Sequence, residues 1–323
     1  MVNELFSIFR KLYGAVPESM GPAFEQYFRN ATLLVMEDIA SGSTLLDVSR
    51  VFASAEFRNY KLERSKNPVV VQFWREIAEK TTGETGLVNM AQYVTNKFDV
   101  FLANDIMRPI IAQQHSSIHM RRIMDEKKIL LVNLSKGRLG DINSNLLGLI
   151  LVGKILMAAL SRVDSIEGGR EQPPDFYLYL DEFQNITTDS VATILSEARK
   201  YRLGLHVAHQ FIAQLSENIR DAVFGNVGTI TAFRVGADDA DFLVKQFEPV
   251  FSAQDLMNID NRYAYVRLLS HGKPAKPFHI HTRQLSEEYV PLARIDRMKE
   301  MSYRKYGRAR EEIEREIVDR YRR

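Results

Sequence analysis

The chain has 323 residues, 45% of them hydrophobic and 26% charged, with a formal net charge of +2. That composition excludes a disordered, collagen-like or low-complexity chain, and it carries no global basic excess that would advertise nucleic acid. There is no cysteine, so disulfides, thiolate metal sites and a cysteine nucleophile are excluded.

The N-terminal segment MVNELFSIFRKLYG places Leu5, Phe6, Ile8, Phe9, Leu12 and Tyr13 on one helical face. It lacks the apolar centre and small-residue cleavage site of a signal peptide. Pro22 opens a second helix with Phe24, Tyr27, Phe28, Ala31, Leu34, Val35 and Ile39 on its apolar side. The SGST break at 41–44 follows, with Ser43 or Thr44 as cap for the next helix. Further helical stretches are expected near 55–64, 68–80, 87–103, 105–114 and 117–126, divided by Asn67-Pro68, Gly83 and Gly86. Residues 1–126 are therefore predicted to be all-helical, without a repeat of fixed period.

From Lys127 the period changes. KILLVNL predicts a short buried strand, and a Ser-Lys-Gly-Arg-Leu-Gly loop comes after it. A helix over about 142–162 contains the apolar run Leu146 to Leu160, which is short for a bilayer and carries Lys154, so a helix buried in protein is expected. Strands at 176–182, 204–210 and 228–235 alternate with helices at 188–202, 216–224 and 238–248. This alternation predicts an α/β domain over 127–290 with a mostly parallel sheet. Residues 262–282 read as an antiparallel hairpin around Ser270-His271-Gly272 at the sheet edge, and 291–323 as a charged, solvated helical tail.

The chemistry concentrates in FYLYLDE. An apolar strand ending in Asp181-Glu182 presents two carboxylates at the carboxyl edge of a parallel sheet, where α/β ligand sites form. Gln210 ends the next predicted strand, which brings its amide to the same edge. Arg199 lies late in the intervening helix, where a cation complements the C-terminal dipole or reaches a neighbouring subunit. His115 and His119 have i,i+4 spacing without the Glu of H-E-x-x-H, which disfavours a zincin. His206 and His209 lie at an odd offset on one strand and face opposite ways, which favours packing, and His279 and His281 share a strand face but lack a third ligand nearby in sequence. Asp238, Asp239 and Asp241 suit a helix start better than a metal, and Arg234 suits a surface ion pair as well as a phosphate.

LYLDEFQN, LSEARKYRLGL, the terminal Gln210 and GNVGTITAFRVGADDADFL together resemble the HerA/FtsK superfamily, most closely the TraG/TraD-type coupling proteins of conjugative and type IV secretion systems. ILLVNLSKGRLGDINSNLLG resembles that family's strand and loop ahead of Walker B, and the helical first 126 residues stand where the family carries a helical insertion. The resemblance implies a RecA-like P-loop NTPase core, here incomplete, in a homo-hexameric ring that moves DNA with ATP and Mg²⁺ bound between subunits. It implies Asp181 on Mg²⁺ directly or through water, Glu182 polarising the attacking water, Gln210 as sensor, and Arg199 as a finger reaching the neighbouring nucleotide. Lys136 and Arg138 become candidates for DNA phosphates in the ring's channel, against a plain solvated loop. Secretion or relaxosome proteins are implied as partners. The implied location is cytoplasmic, with room for inner-membrane attachment through an upstream segment.

One departure matters. The family's Walker A loop precedes the helical insertion, and this sequence has no such loop. Its nearest match, Gly148 to Ile155, has Ile where the Mg²⁺-binding hydroxyl belongs and apolar residues across the loop, so it reads as a helix. The expectation is the C-terminal portion of a motor, unable to hydrolyse ATP alone. The alternatives are a non-catalytic interaction or assembly module derived from such an ATPase, and a HerA-like DNA repair translocase.

Overall fold

The computed structural model describes residues 1–14, 20–41, 43–80, 83–164, 172–284 and 291–322. Gly42, in the predicted SGST break, lies outside them, as do 285–290 of the predicted core and the terminal Arg323. The chain forms two compact units, Met1–Ile155 with Ile295–Arg323, and Leu156–Arg294. These boundaries differ from the predicted division at 126 and 290.

The first unit opens with α1 (Val2–Tyr13), α2 (Pro22–Glu37), α3 (Leu45–Ala53), α4 (Ala55–Leu62) and α5 (Pro68–Gln72), the last continued by a π-helical stretch, Phe73–Ala78. Then come α6 (Gly83–Leu102), α7 (Met107–Ile111), α8 (Met120–Asp125), α9 (Lys136–Leu139) and α10 (Asp141–Leu160). The apolar faces read from the sequence converge on buried Phe6, Phe9, Phe24, Phe28, Phe98 and Phe101. Phe9 is the hub, 4.6 Å from the Phe98 ring centre and 5.2 Å from that of Phe28. Thr44 caps α3: its backbone N–H and hydroxyl donate to Asp47 Oδ2 at 3.0 and 2.8 Å, one arm of a capping box.

α10 is long and apolar enough to cross a membrane by length and composition, with a mean hydropathy of 1.6, yet 61% of that window is buried within the protein. The Gly148 to Ile155 stretch lies entirely within this helix and forms no loop. A Cβ on Gly153 would come to 3.2 Å from the Glu4 side chain, so a small residue there serves close packing.

KILLVNL is not a strand. Residues 129–134 adopt neither helix nor strand, and Ile129 and Leu131 are 89% and 86% exposed. An apolar, β-prone run becomes a strand only when a neighbour accepts its ladder, and no strand among the described residues pairs with it.

The second unit contains β1 (Phe176–Leu180), α11 (Asp189–Glu197) with a 3₁₀ turn at Ala198–Tyr201, β2 (Leu203–Val207) and α12 (Glu217–Asn226). β3 (Ile230–Ala232), α13 (Ala237–Phe247), α14 (Ala253–Asn258), β4 (Tyr263–Arg267), β5 (Leu269–Ser270), β6 (Lys273–Pro274) and β7 (Phe278–His281) follow. β1 and β2 pair in parallel, from Phe176 opposite Leu203 to Leu180 opposite Val207. The expected single, mostly parallel sheet is corrected: β3, β4 and β7 form a separate antiparallel sheet. Strand–helix alternation places strands in a sequence but does not fix their direction, and the three-residue β3 pairs with β4 instead of β1 or β2. Ile230, Ala232, Ala240, Leu243, Phe247 and Leu256 bury the contact between this sheet and its helices.

The predicted turn is present. β5 and β6 pair around His271 (φ 51°) and Gly272 (φ 76°), the two left-handed residues that a tight two-residue hairpin loop demands. Arg162, fully buried, donates through Nη1 to the carbonyls of Pro174, Tyr201 and Arg202 at 3.1, 3.1 and 3.3 Å, fastening the entries to β1 and β2.

The charged tail divides. α15 (Leu292–Tyr306) has no buried residue, as a solvated helix should, but α16 (Arg310–Arg322) docks in the helical unit. Ile313 and Ile317 are buried with Leu46 and Ala112, Arg108 donates to both oxygens of Glu314 at 3.2 and 3.1 Å, and Arg320 pairs with buried Asp47 at 3.3 Å.

Candidate functional site

At the end of β1 the chain turns sharply. Glu182 adopts the left-handed region (φ 51°, ψ 43°), a conformation that costs a non-glycine residue free energy and persists only where its surroundings impose it. They do so here: Ala208 N–H donates to the Leu180 carbonyl and Phe183 N–H to that of Ala208, both at 2.9 Å, while the Phe183 ring is fully buried. The parallel pairing thus continues past both strands and locks the residues on either side of Glu182.

The Glu182 carboxylate lies between two amides. Gln210 Nε2 donates to Oε1 and Gln184 Nε2 to Oε2, each at 2.7 Å. Asp181 is exposed, and its Oδ1 accepts the Glu182 N–H at 3.0 Å. The structure therefore brings together Asp181, Glu182 and Gln210 at the carboxyl edge of the parallel pair. Gln184 was not anticipated from the sequence; the signal available was its position two residues after Glu182, on the 3₁₀ turn Phe183–Asn185.

Arg199 is not brought to this group. It is exposed on the turn that leads into β2, at the amino edge, whereas Glu182 and Gln210 lie past the carboxyl ends. A five-residue strand spans about 17 Å, so Arg199 sits too far from Glu182 to touch a ligand held there. Lys136 and Arg138, expected in an open loop, instead form part of the one-turn α9 in the other unit; both are exposed, and Lys136 lies 3.4 Å from Asp141.

Several of the remaining candidates make contacts of their own. His206 stacks on Tyr179 with ring centres 4.3 Å apart, and Arg234 donates to Asn261 at 3.1 Å. His209 is half-buried, and burial pushes its pKa below the usual histidine value, opposed by the nearby charge of Asp239. Asp239, in the first turn of α13, accepts the Ile212 N–H at 3.2 Å. Among the described residues no group of three or more His, Cys, Asp or Glu could hold a metal by itself. Asp181 presents one exposed carboxylate at this edge, a ligand type that hard divalent cations take.

Residues 175–246, from the start of β1 into α13, match the family described as the TraM recognition site of TraD and TraG. Over this segment the chain is similar to the TraG/TraD family. The bacterial conjugative coupling protein TrwBdeltaN70, in its unbound form, is similar in structure, with a TM-score of 0.55 over 90% of this chain and 71% of that one. At 11% identity the likeness is one of fold. No curated protein sequence matches the chain. The TraG/TraD-type segment contains all of Asp181, Glu182, Gln184, Arg199 and Gln210, and the whole of the parallel pair.

Proposed function

We propose that the chain is the C-terminal portion of a TraG/TraD-type coupling protein, a ring-forming, ATP-driven DNA translocase with a RecA-like core that works at the cytoplasmic side of the membrane. The observation that carries this reading is Glu182, fixed between the Gln184 and Gln210 amides at the carboxyl edge of β1, inside the TraG/TraD-type segment. Gln184 holds one carboxylate oxygen. The other oxygen accepts from the Gln210 amide, and a water bonded to the carboxylate beside that contact would be oriented for in-line attack and would lose its proton to Glu182. Asp181 offers an exposed carboxylate to Mg²⁺, which when bound neutralises charge on the β- and γ-phosphates. Arg199, exposed at the opposite edge, is assigned to a neighbouring subunit's nucleotide in this reading. Lys136 and Arg138 are offered to DNA phosphates.

Among the described residues no set forms the glycine-rich phosphate cradle with its Lys and Ser/Thr. The isolated chain is therefore expected not to turn over ATP. Joined to a Walker A-bearing region it should hydrolyse ATP in a DNA-stimulated manner, and Glu182→Gln should abolish turnover while sparing nucleotide binding. Turnover by the joined protein that survives Glu182→Gln would end the assignment. A second reading, a docking module for a relaxosome protein, is favoured by the description of the matched family as a recognition site for TraM. Binding of such a protein undiminished in Glu182→Gln would show that this role is separate from hydrolysis.

A further inference from the structure

Gln210 is exposed, and an exposed glutamine ordinarily samples several rotamers, yet its amide meets Glu182 at 2.7 Å. The five-residue arch 208–212 that carries it is held at both feet. Upstream, Ala208 bonds to Leu180 and Phe183. Downstream, the Ile212 N–H donates to Asp239, at 3.2 Å to Oδ1 and 3.4 Å to Oδ2, and the Ile212 side chain is buried with Ala240 and Leu243 of α13. The Asp239 carboxylate sits in the first turn of α13, where the helix dipole favours its charge. An ionised acceptor makes a hydrogen bond roughly twice as strong as a neutral one.

We infer that Asp239 is a positioning residue for Gln210: it fixes the downstream foot of the arch so that the Gln210 amide reaches Glu182. The inference rests on the proposed role of Gln210 for its use, but not for its geometry. It links the antiparallel part of the second unit to the nucleotide edge, because α13 packs on β3 and any displacement of α13 would move the arch.

The test reads the Gln210 side-chain amide directly, by NMR of the full chain labelled with ¹⁵N-glutamine, without nucleotide. Gln210→Asn identifies the resonance. In the wild type this amide should be shifted from the exposed-glutamine position and slow to exchange with water. Asp239→Ala should return it to the exposed position and speed its exchange, with the near-ultraviolet circular dichroism of the folded chain retained. Ile212→Pro removes the donor instead of the acceptor. Phe211 is already extended (φ −135°, ψ 134°) and Ile212 opens a 3₁₀ turn, so proline fits, and the same loss is expected. Asp239→Asn, the same size but uncharged, should give exchange between wild type and Asp239→Ala. A Gln210 amide that stays at its wild-type position and exchange rate in Ile212→Pro or Asp239→Asn overturns the inference, even if stability falls. Loss of the Gln210 contact here, with hydrolysis by the joined protein indifferent to Glu182→Gln, would uphold the positioning role and overturn the motor reading alone.

Discussion

The two units spend their aromatic residues differently. In the helical unit Phe6, Phe9, Phe24, Phe28, Phe98 and Phe101 form one buried cluster, and even the distant α16 is drawn onto the surface around Leu46 and Ala112. In the α/β unit Tyr177, Tyr179, Phe211 and Phe233 are all more than half exposed, two of them along one face of β1. Parallel strands are normally covered on both faces, so the second unit stands as a partly uncovered frame around a polar edge. The largest buried aromatic cluster lies in the first unit, and the carboxylate held by two amides lies in the second.

The sharpest way to break this contrast is Phe9→Ala. Removing a ring at the centre of a close-packed cluster should cost about 3–5 kcal/mol, read by denaturant unfolding of the helical unit. Arg320→Ala comes next. It leaves the buried Asp47 carboxylate with only its capping partners, and a loss of about 3 kcal/mol is expected because one member of a buried pair has been removed. The same measurement on Glu314→Ala, whose partner Arg108 is partly exposed, should show a smaller effect.

In the α/β unit the effects should be milder and pH-dependent. Burial lowers the His209 pKa from 6.5, so between that value and its lower folded value the unfolded chain binds more protons. Stability of this unit should therefore be complete above pH 6.5 and decline as the pH falls through the folded pKa. Thermal unfolding from pH 7.5 to 5 checks the sign, and His209→Gln should flatten the slope. Tyr179→Ser should cost no more than about 1 kcal/mol, the loss of its cross-strand stack on His206, because the ring is 70% exposed. A large loss at Tyr179 would dissolve the contrast between the units.

Where local chemistry decides the structure, the sequence was readable. The apolar faces of α1 and α2, the cap at Thr44, the left-handed pair at His271-Gly272 and the meeting of Asp181, Glu182 and Gln210 each depend on nearby residues or on one strand pairing. KILLVNL failed because a strand is a property of two segments, and its apolar run carries no record of whether a partner exists. β3 failed on direction for the same reason. Ile313 and Ile317 are two apolar residues in a charged helix, too few to separate a docked face from a solvated one. Arg162 was hidden altogether: its burial depends on carbonyls at 174, 201 and 202, which no spacing in the sequence connects. Arg199 sits where parallel pairing must put it, at the amino edge, once β2 is known to begin just after it.

The pairing of Arg320 with Asp47 also bears on when the protein can finish folding. These residues are 273 positions apart, and at about 5–20 residues per second a ribosome needs roughly 15–55 s to connect them. Throughout that interval α3 is present with Asp47 serving its cap alone, and the patch around Leu46 and Ala112 lacks Ile313 and Ile317. The α/β unit emerges during the wait. α16 therefore completes a surface begun at α3, and protease resistance around α3 should be acquired only after residues 310–322 have emerged.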